Sequence, residues 1–203
     1  MLDLLPRRWS RTVGRLSRLN SSRPDKPLPL NSEHVSGAQL FASRQDYIAS
    51  LPNGAICAEV GVQHGNFSAY ILETAKPDKL HLIDRSLSQF NVKERFAGQP
   101  NVVFHEGQSA DILRSFPDAY FDWVYIDAGH RYKAVRADAT IAARKTKPSG
   151  LLIFNDYIIW SHLEGFEYGV VRTVNEMCTN ERWQMVAFCL SQEMYCDVAL
   201  ARV

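Results

Sequence analysis

No two of the four cysteines (Cys57, Cys178, Cys189 and Cys196) stand at C-x-x-C spacing, and together they follow no disulfide or metal-ligand pattern. Cys57 lies inside an apolar run, where a thiol acts as a small hydrophobe. Neither a zinc site nor a disulfide framework is indicated, and this cysteine usage fits a reducing, cytoplasmic setting. Also missing is any apolar run near the ~20 residues a membrane span needs, or an early apolar segment followed by a small-residue cleavage site. Net charge is almost absent, +1 over 203 residues, but it is unevenly spread. Residues 1–31 hold seven basic groups (Arg7, Arg8, Arg11, Arg15, Arg18, Arg23 and Lys26) against Asp3 and Asp25. A basic arm, taken as residues 1–35, therefore precedes a mildly acidic body, 36–203. A solvated leader or a contact between copies of the chain suits this arm better than nucleic acid.

What is present is the composition of a folded domain, 46% hydrophobic and 22% charged, in a chain long enough for one substantial core. Short apolar runs at 55–60, 79–84, 101–105, 121–127 and 150–155 read as strands. Helical periodicity falls near 36–50, 66–75, 89–97, 109–115 and 132–145. Repeated strand–helix–strand units imply a doubly wound, mostly parallel sheet with helices on both faces. The end of the chain breaks this rhythm. A helix near 168–180 leads into strands at 183–190 and 195–202, too closely joined to be anything but an antiparallel hairpin.

In such sheets ligands bind at the carboxyl ends of the strands, so the first strand–helix turn is the place to look. It reads Glu59-Val60-Gly61-Val62-Gln63-His64-Gly65-Asn66-Phe67-Ser68. Glycine allows close backbone approach, and the helix start offers free N–H groups to a polar ligand. A dinucleotide site would need glycine where Gln63 stands, so NAD is disfavoured. The second strand ends in Asp84, about where an acid accepts the hydroxyls of a ribose.

The glycine turn, Asp84 and the terminal hairpin together resemble a class I S-adenosylmethionine-dependent methyltransferase, with a mostly parallel seven-stranded sheet and a reversed last strand. That resemblance implies S-adenosylmethionine as cofactor and cofactor contacts from Glu59, Gly61, Gly65, Ser68, Asp84, Gln108, Ser109 and Asp127. The segment from Asp127 through His130 to Asp156 and Tyr157 is similar to the small macrocin- and mycinamicin-type O-methyltransferases. It departs from them in having Asp127-Ala128-Gly129-His130 and Asn155-Asp156.

Strand ends at Asp127 and at Asn155-Asp156 converge in this fold, and two carboxylates with an amide oxygen suit Mg²⁺, which would lower the pKa of an acceptor hydroxyl. His130 reads equally as a loop histidine or as a general base, its ordinary pKa lying near neutrality. Tyr157, Trp160 and His162 offer aromatic area and polar handles for an acceptor pocket. The expected activity is methyl transfer to a hydroxyl of a small molecule of sugar or natural-product type. A metal-free enzyme acting on O, N or C, and a silent nucleoside-binding scaffold, are the alternatives.

Overall fold

The computed structural model describes residues 26–203, so most of the basic arm lies outside the described residues. The chain runs β1 (Gln39–Phe41), α1 (Arg44–Ser50), β2 (Ile56–Val60), α2 (Asn66–Ala75), β3 (Lys79–Asp84), β4 (Val102–Glu106), α3 (Ser109–Ser115) and β5 (Phe121–Ile126). It continues as α4 (Tyr132–Lys145), β6 (Thr146–Phe154), β7 (Trp160–Ser161), β8 (Phe166–Glu167), α5 (Val170–Asn180), β9 (Trp183–Cys189) and β10 (Asp197–Arg202). Eight strands form one sheet in the order β1-β9-β10-β6-β5-β2-β3-β4, while β7 and β8 form a small separate ribbon. Among the described residues of the eight-stranded sheet, only β10 runs against its neighbours, β6 and β9. The expected doubly wound sheet with a reversed last strand is therefore present.

Period-two alternation divides the core between the two faces of the sheet. Trp123, Tyr125, Leu80, Leu82 and Ile153 pack with α1 and α2. Val124, Ile126, Ile83, Leu152 and Phe154 pack with α3, α4 and α5. Burying each such aliphatic side chain contributes roughly 1.5–3 kcal/mol. Strand β9 changes faces partway. Its register against β10 skips one residue between Ala199 and Leu200, a bulge that places Trp183 and Met185 in one core and Ala187 and Cys189 in the other.

Three segments differ from the sequence expectation. The segment 36–50 is only partly helical. Ser43 caps the Asp46 N–H and so starts α1 at Arg44, and Gln39–Phe41 pairs parallel with β9 as an eighth strand. The segment 89–97 forms 3-10 turns at Leu87–Gln89 and Lys93–Phe96, because Phe90 and Phe96 turn inward onto Phe104. Strand β6 begins at Thr146, directly after α4, and its pairing with β5 jumps across Pro148 and Gly150, where proline supplies no N–H to the ladder. Residues ahead of β1 are held by side-chain amides: Asn175 donates to the Leu28 carbonyl, and Gln184 to those of Glu33 and Ser36.

Candidate active site

The carboxyl ends of β2, β3, β5 and β6 surround a cleft of about 1350 Å³. Its floor is the turn between β2 and α2. Gly61 has φ +96°, and a Cβ there would stand 2.0 Å from the carbonyl oxygen of Asp127. Gly65 has φ +83°, and its Cβ would lie 2.2 Å from the Phe90 ring. Both glycines are thus required by the chain's own packing. Gly61 lets the ends of β2 and β5 touch, and Gly65 leaves room for the ring that closes the turn from below.

Glu59 is 2% exposed, and its Oε2 has no hydrogen-bond partner among the described residues. Burial pushes its carboxyl up to about 8. Asp84 Oδ2 accepts the N–H groups of Val62 (2.7 Å) and Gln63 (3.0 Å), and Oδ1 accepts that of Ser86 (3.0 Å). Burial works against its charge, yet these backbone donors outweigh it and hold the carboxyl below its usual range. Asp84 therefore ties the glycine turn to the end of β3 as well as lining the cleft. Asp84→Ala is expected to weaken S-adenosylhomocysteine binding by roughly 1–3 kcal/mol and to lower the melting temperature, since stranded donors carry that cost. Calorimetry and a thermal scan check both, and unchanged affinity in a folded variant would refute the assignment.

Gln108 and Ser109 line the cleft after β4, but the Ser109 hydroxyl is spent on buried Asp138 (2.8 and 2.9 Å). Ser68 is fully buried in α2 and does not line the cleft.

Toward β5 and β6 the chemistry changes. His130 Nε2 lies 3.5 Å from Asp127 Oδ1 and 3.4 Å from Asp156 Oδ2, without hydrogen-bond geometry to either. Its ring stacks on Tyr168 with centroids 4.3 Å apart and planes 4° from parallel, and Tyr168 donates to Glu164 (2.7 Å). Burial pulls the imidazole pKa down, but the carboxylates of Asp127 and Asp156 outweigh it and hold it above 6.5. Burial and nearby Asp127 push Asp156 up to about 6. Asp156 itself sits at φ +59°, a conformation that Asp tolerates better than most residues and that clusters at functional sites.

Beneath these groups lies a buried network. Arg44 Nη1 donates to the Tyr125 hydroxyl (3.0 Å), which donates to Asp197 Oδ2 (2.5 Å). The Asn155 amide donates to both Tyr125 and Asp197, at 3.2 Å each. Burial pushes Asp197 up to about 7. Arg44, Tyr125, Asp197 and Asp138 were missed in the sequence. An acid inside the apolar run of β10 is the one signal that pointed to Asp197, whereas nothing local marks Arg44.

The residues expected to bind Mg²⁺ do meet at one end of the sheet, but as a donor set they do not fit it. The Asn155 amide is turned into the buried network, and the imidazole of His130 fills the gap between Asp127 and Asp156. Among the described residues no group of three His, Cys, Asp or Glu side chains is arranged to hold a metal. Of the expected acceptor residues, Tyr157 turns to Asn175 (2.6 Å), Trp160 is 59% exposed on β7, and His162 reaches the Tyr195 hydroxyl (3.3 Å). None of the three lines the cleft, whose wall here is built by Leu163, Glu164, Tyr168 and Tyr195.

Residues 58–157 match the model of a methyltransferase domain family. No curated protein sequence matches the chain. Similar solved structures include the O-methyltransferase TomG from Streptomyces achromogenes, involved in tomaymycin synthesis and in complex with SAM (22% identity, 79% of each chain, TM-score 0.62). An O-methyltransferase from Bacillus cereus in complex with SAH shares 13% identity over 84% of this chain and 86% of that one, with TM-score 0.61. A putative S-adenosylmethionine-dependent methyltransferase from Listeria monocytogenes shares 16% over 79% and 96%, with TM-score 0.59. With its reversed β10 and glycine turn, the protein has the fold of the class I S-adenosylmethionine-dependent methyltransferases, within which residues 58–157 match a methyltransferase domain. The cleft fits that cofactor, offering an unpartnered buried carboxylate at Glu59 and a turn free of side chains at Gly61 and Gly65. Among the described residues no helix is long and apolar enough to cross a membrane.

Proposed function

We propose that the protein methylates a hydroxyl of a small molecule of sugar or natural-product type, with His130 as the general base and no metal in the reaction. The observation that carries this reading is the place of His130, between two carboxylates at the cofactor end of the acceptor cleft and fixed in plane by Tyr168. When bound, the cofactor supplies an electrophilic sulfonium methyl group. Asp127 and Asp156 flank Nε2 and hold the imidazole, which takes the hydroxyl proton as the acceptor oxygen attacks. Tyr168, Tyr195 and Leu163 wall the acceptor and exclude water, and their main contribution is to keep the attacking oxygen in line. The O-methyltransferases of similar fold support oxygen as the target.

Transfer of labelled methyl from S-adenosylmethionine to a panel of hydroxyl acceptors, with and without excess EDTA, tests the reading. Turnover is expected to survive chelation, and calorimetry is expected to show binding of S-adenosylhomocysteine but not NAD. Activity lost in EDTA and restored by Mg²⁺ would favour a metal held by Asp127, Asn155 and Asp156.

A further inference from the structure

We propose that Arg44 is the carboxylate receptor of the cofactor cleft, taking the α-carboxylate of the methionine moiety of S-adenosylmethionine. That moiety is a zwitterion, so a site that holds it needs one group of each sign. The group that turns negative once an ammonium lies against it is Glu59, buried, facing the cleft and unpartnered at Oε2 among the described residues. For the positive one the choice is narrow. Among the described residues lining the cleft there is no lysine, and the only guanidinium groups are those of Arg44 and Arg85. Arg85 is exposed and follows Asp84 at the end of β3, the adenosine side.

Arg44 stands on the other side, where cofactor and acceptor meet. Its guanidinium lies 4.2 Å above the ring of Phe67 in the first turn of α2, beside N–H groups that already favour an anion. Among the described residues only Nη1 of its donors is engaged in a hydrogen bond, to the Tyr125 hydroxyl. The Asp127 carboxylate, 3.8 Å away, is beyond hydrogen-bond reach. Tyr125 and Phe67 thus hold a planar fork in place with most of its N–H groups unspent, the preorganised form in which arginine binds carboxylates. The side chain is one-third exposed, open to the cleft from which a ligand enters. Its position depends on the turn that ends β1 and on the Ser43 cap, which start α1 at Arg44.

The test is calorimetry on the full chain with two ligands. One is S-adenosylhomocysteine. The other is its decarboxylated analogue, S-adenosyl-3-thiopropylamine, which keeps the nucleoside, sulfur and amine but lacks the carboxylate. Arg44→Gln is expected to lose on the order of 10- to 100-fold in affinity for the first and no more than about twofold for the second, the range for a charge-assisted hydrogen bond. Arg44→Lys, which keeps the charge beside Asp197 and Asp127 and so protects the fold, should lose less. The wild-type preference for the carboxylate-bearing ligand should shrink by the same factor as the Arg44→Gln loss, closing the cycle. Equal losses on both ligands would assign Arg44 a purely structural role, and unchanged S-adenosylhomocysteine affinity would overturn the proposal outright. A wild-type protein that binds neither ligand would instead count against the cofactor assignment itself.

Discussion

Gly61→Ala is expected to be the most destabilising single substitution at the site, at about 4 kcal/mol or more. The new methyl would meet the Asp127 carbonyl oxygen at 2.0 Å, and backbone atoms on two paired strands cannot give way as a flexible side chain would. The left-handed φ of +96° adds conformational strain of about 1–2 kcal/mol. In a chain of this size such a loss lowers the melting temperature by roughly 10 °C. Gly98→Ala isolates the collision. Gly98 shares a left-handed φ, +73°, but has nothing within 4 Å of the added carbon, so only the strain remains. Similar, small shifts for the two variants would show that β2 and β5 part easily, and the tight seam between them would have to be abandoned.

His130→Ala is expected to lower the rate of methyl transfer by about 10²–10⁴-fold, the usual contribution of a positioned base, while leaving S-adenosylhomocysteine affinity nearly unchanged. The base must be neutral to accept a proton, and the nearby carboxylates hold its pKa above 6.5. The wild-type rate should therefore rise with pH on a limb centred above 6.5. Asp156→Asn removes one of the carboxylates responsible and should move that limb to lower pH. The sign for stability is the opposite. A raised imidazole pKa stabilises the fold fully below pH 6.5, and that contribution fades as pH climbs through the raised value. A limb unmoved by Asp156→Asn, together with an active His130→Ala variant, would remove the histidine from the mechanism.

The strands that place the cofactor were legible because parallel strands buried on both faces leave continuous apolar runs, and because the turn at Gly61 and Gly65 and the acid at Asp84 follow them directly. The reason for the glycines was not legible. Only the packed structure shows that Gly61 faces Asp127, sixty-six residues away along the chain. The acceptor end was read less fully. His130 and Asp156 were found because they follow strands, but Leu163, Glu164 and Tyr195 occupy loops whose course no periodicity sets. Trp160 and His162 looked suitable by side-chain type, yet the β7–β8 ribbon turns them outward. Arg44 was invisible for another reason: a helix-like pattern over 36–50 concealed the strand that delivers it.

The bulge in β9 constrains which changes of length the family line of this chain can accept. The segments between β9 and β10 and around the β7–β8 ribbon shape the acceptor wall and can lengthen or shorten while the sheet stays intact, so substrate range is free to drift there. A one-residue insertion between Trp183 and Met185 has no such freedom. It would move Trp183 to the opposite face of the sheet, away from the core it fills. Selection can thus edit the rim by insertion and deletion, whereas the strand a few residues away already carries its one spare residue, Val186, in the bulge.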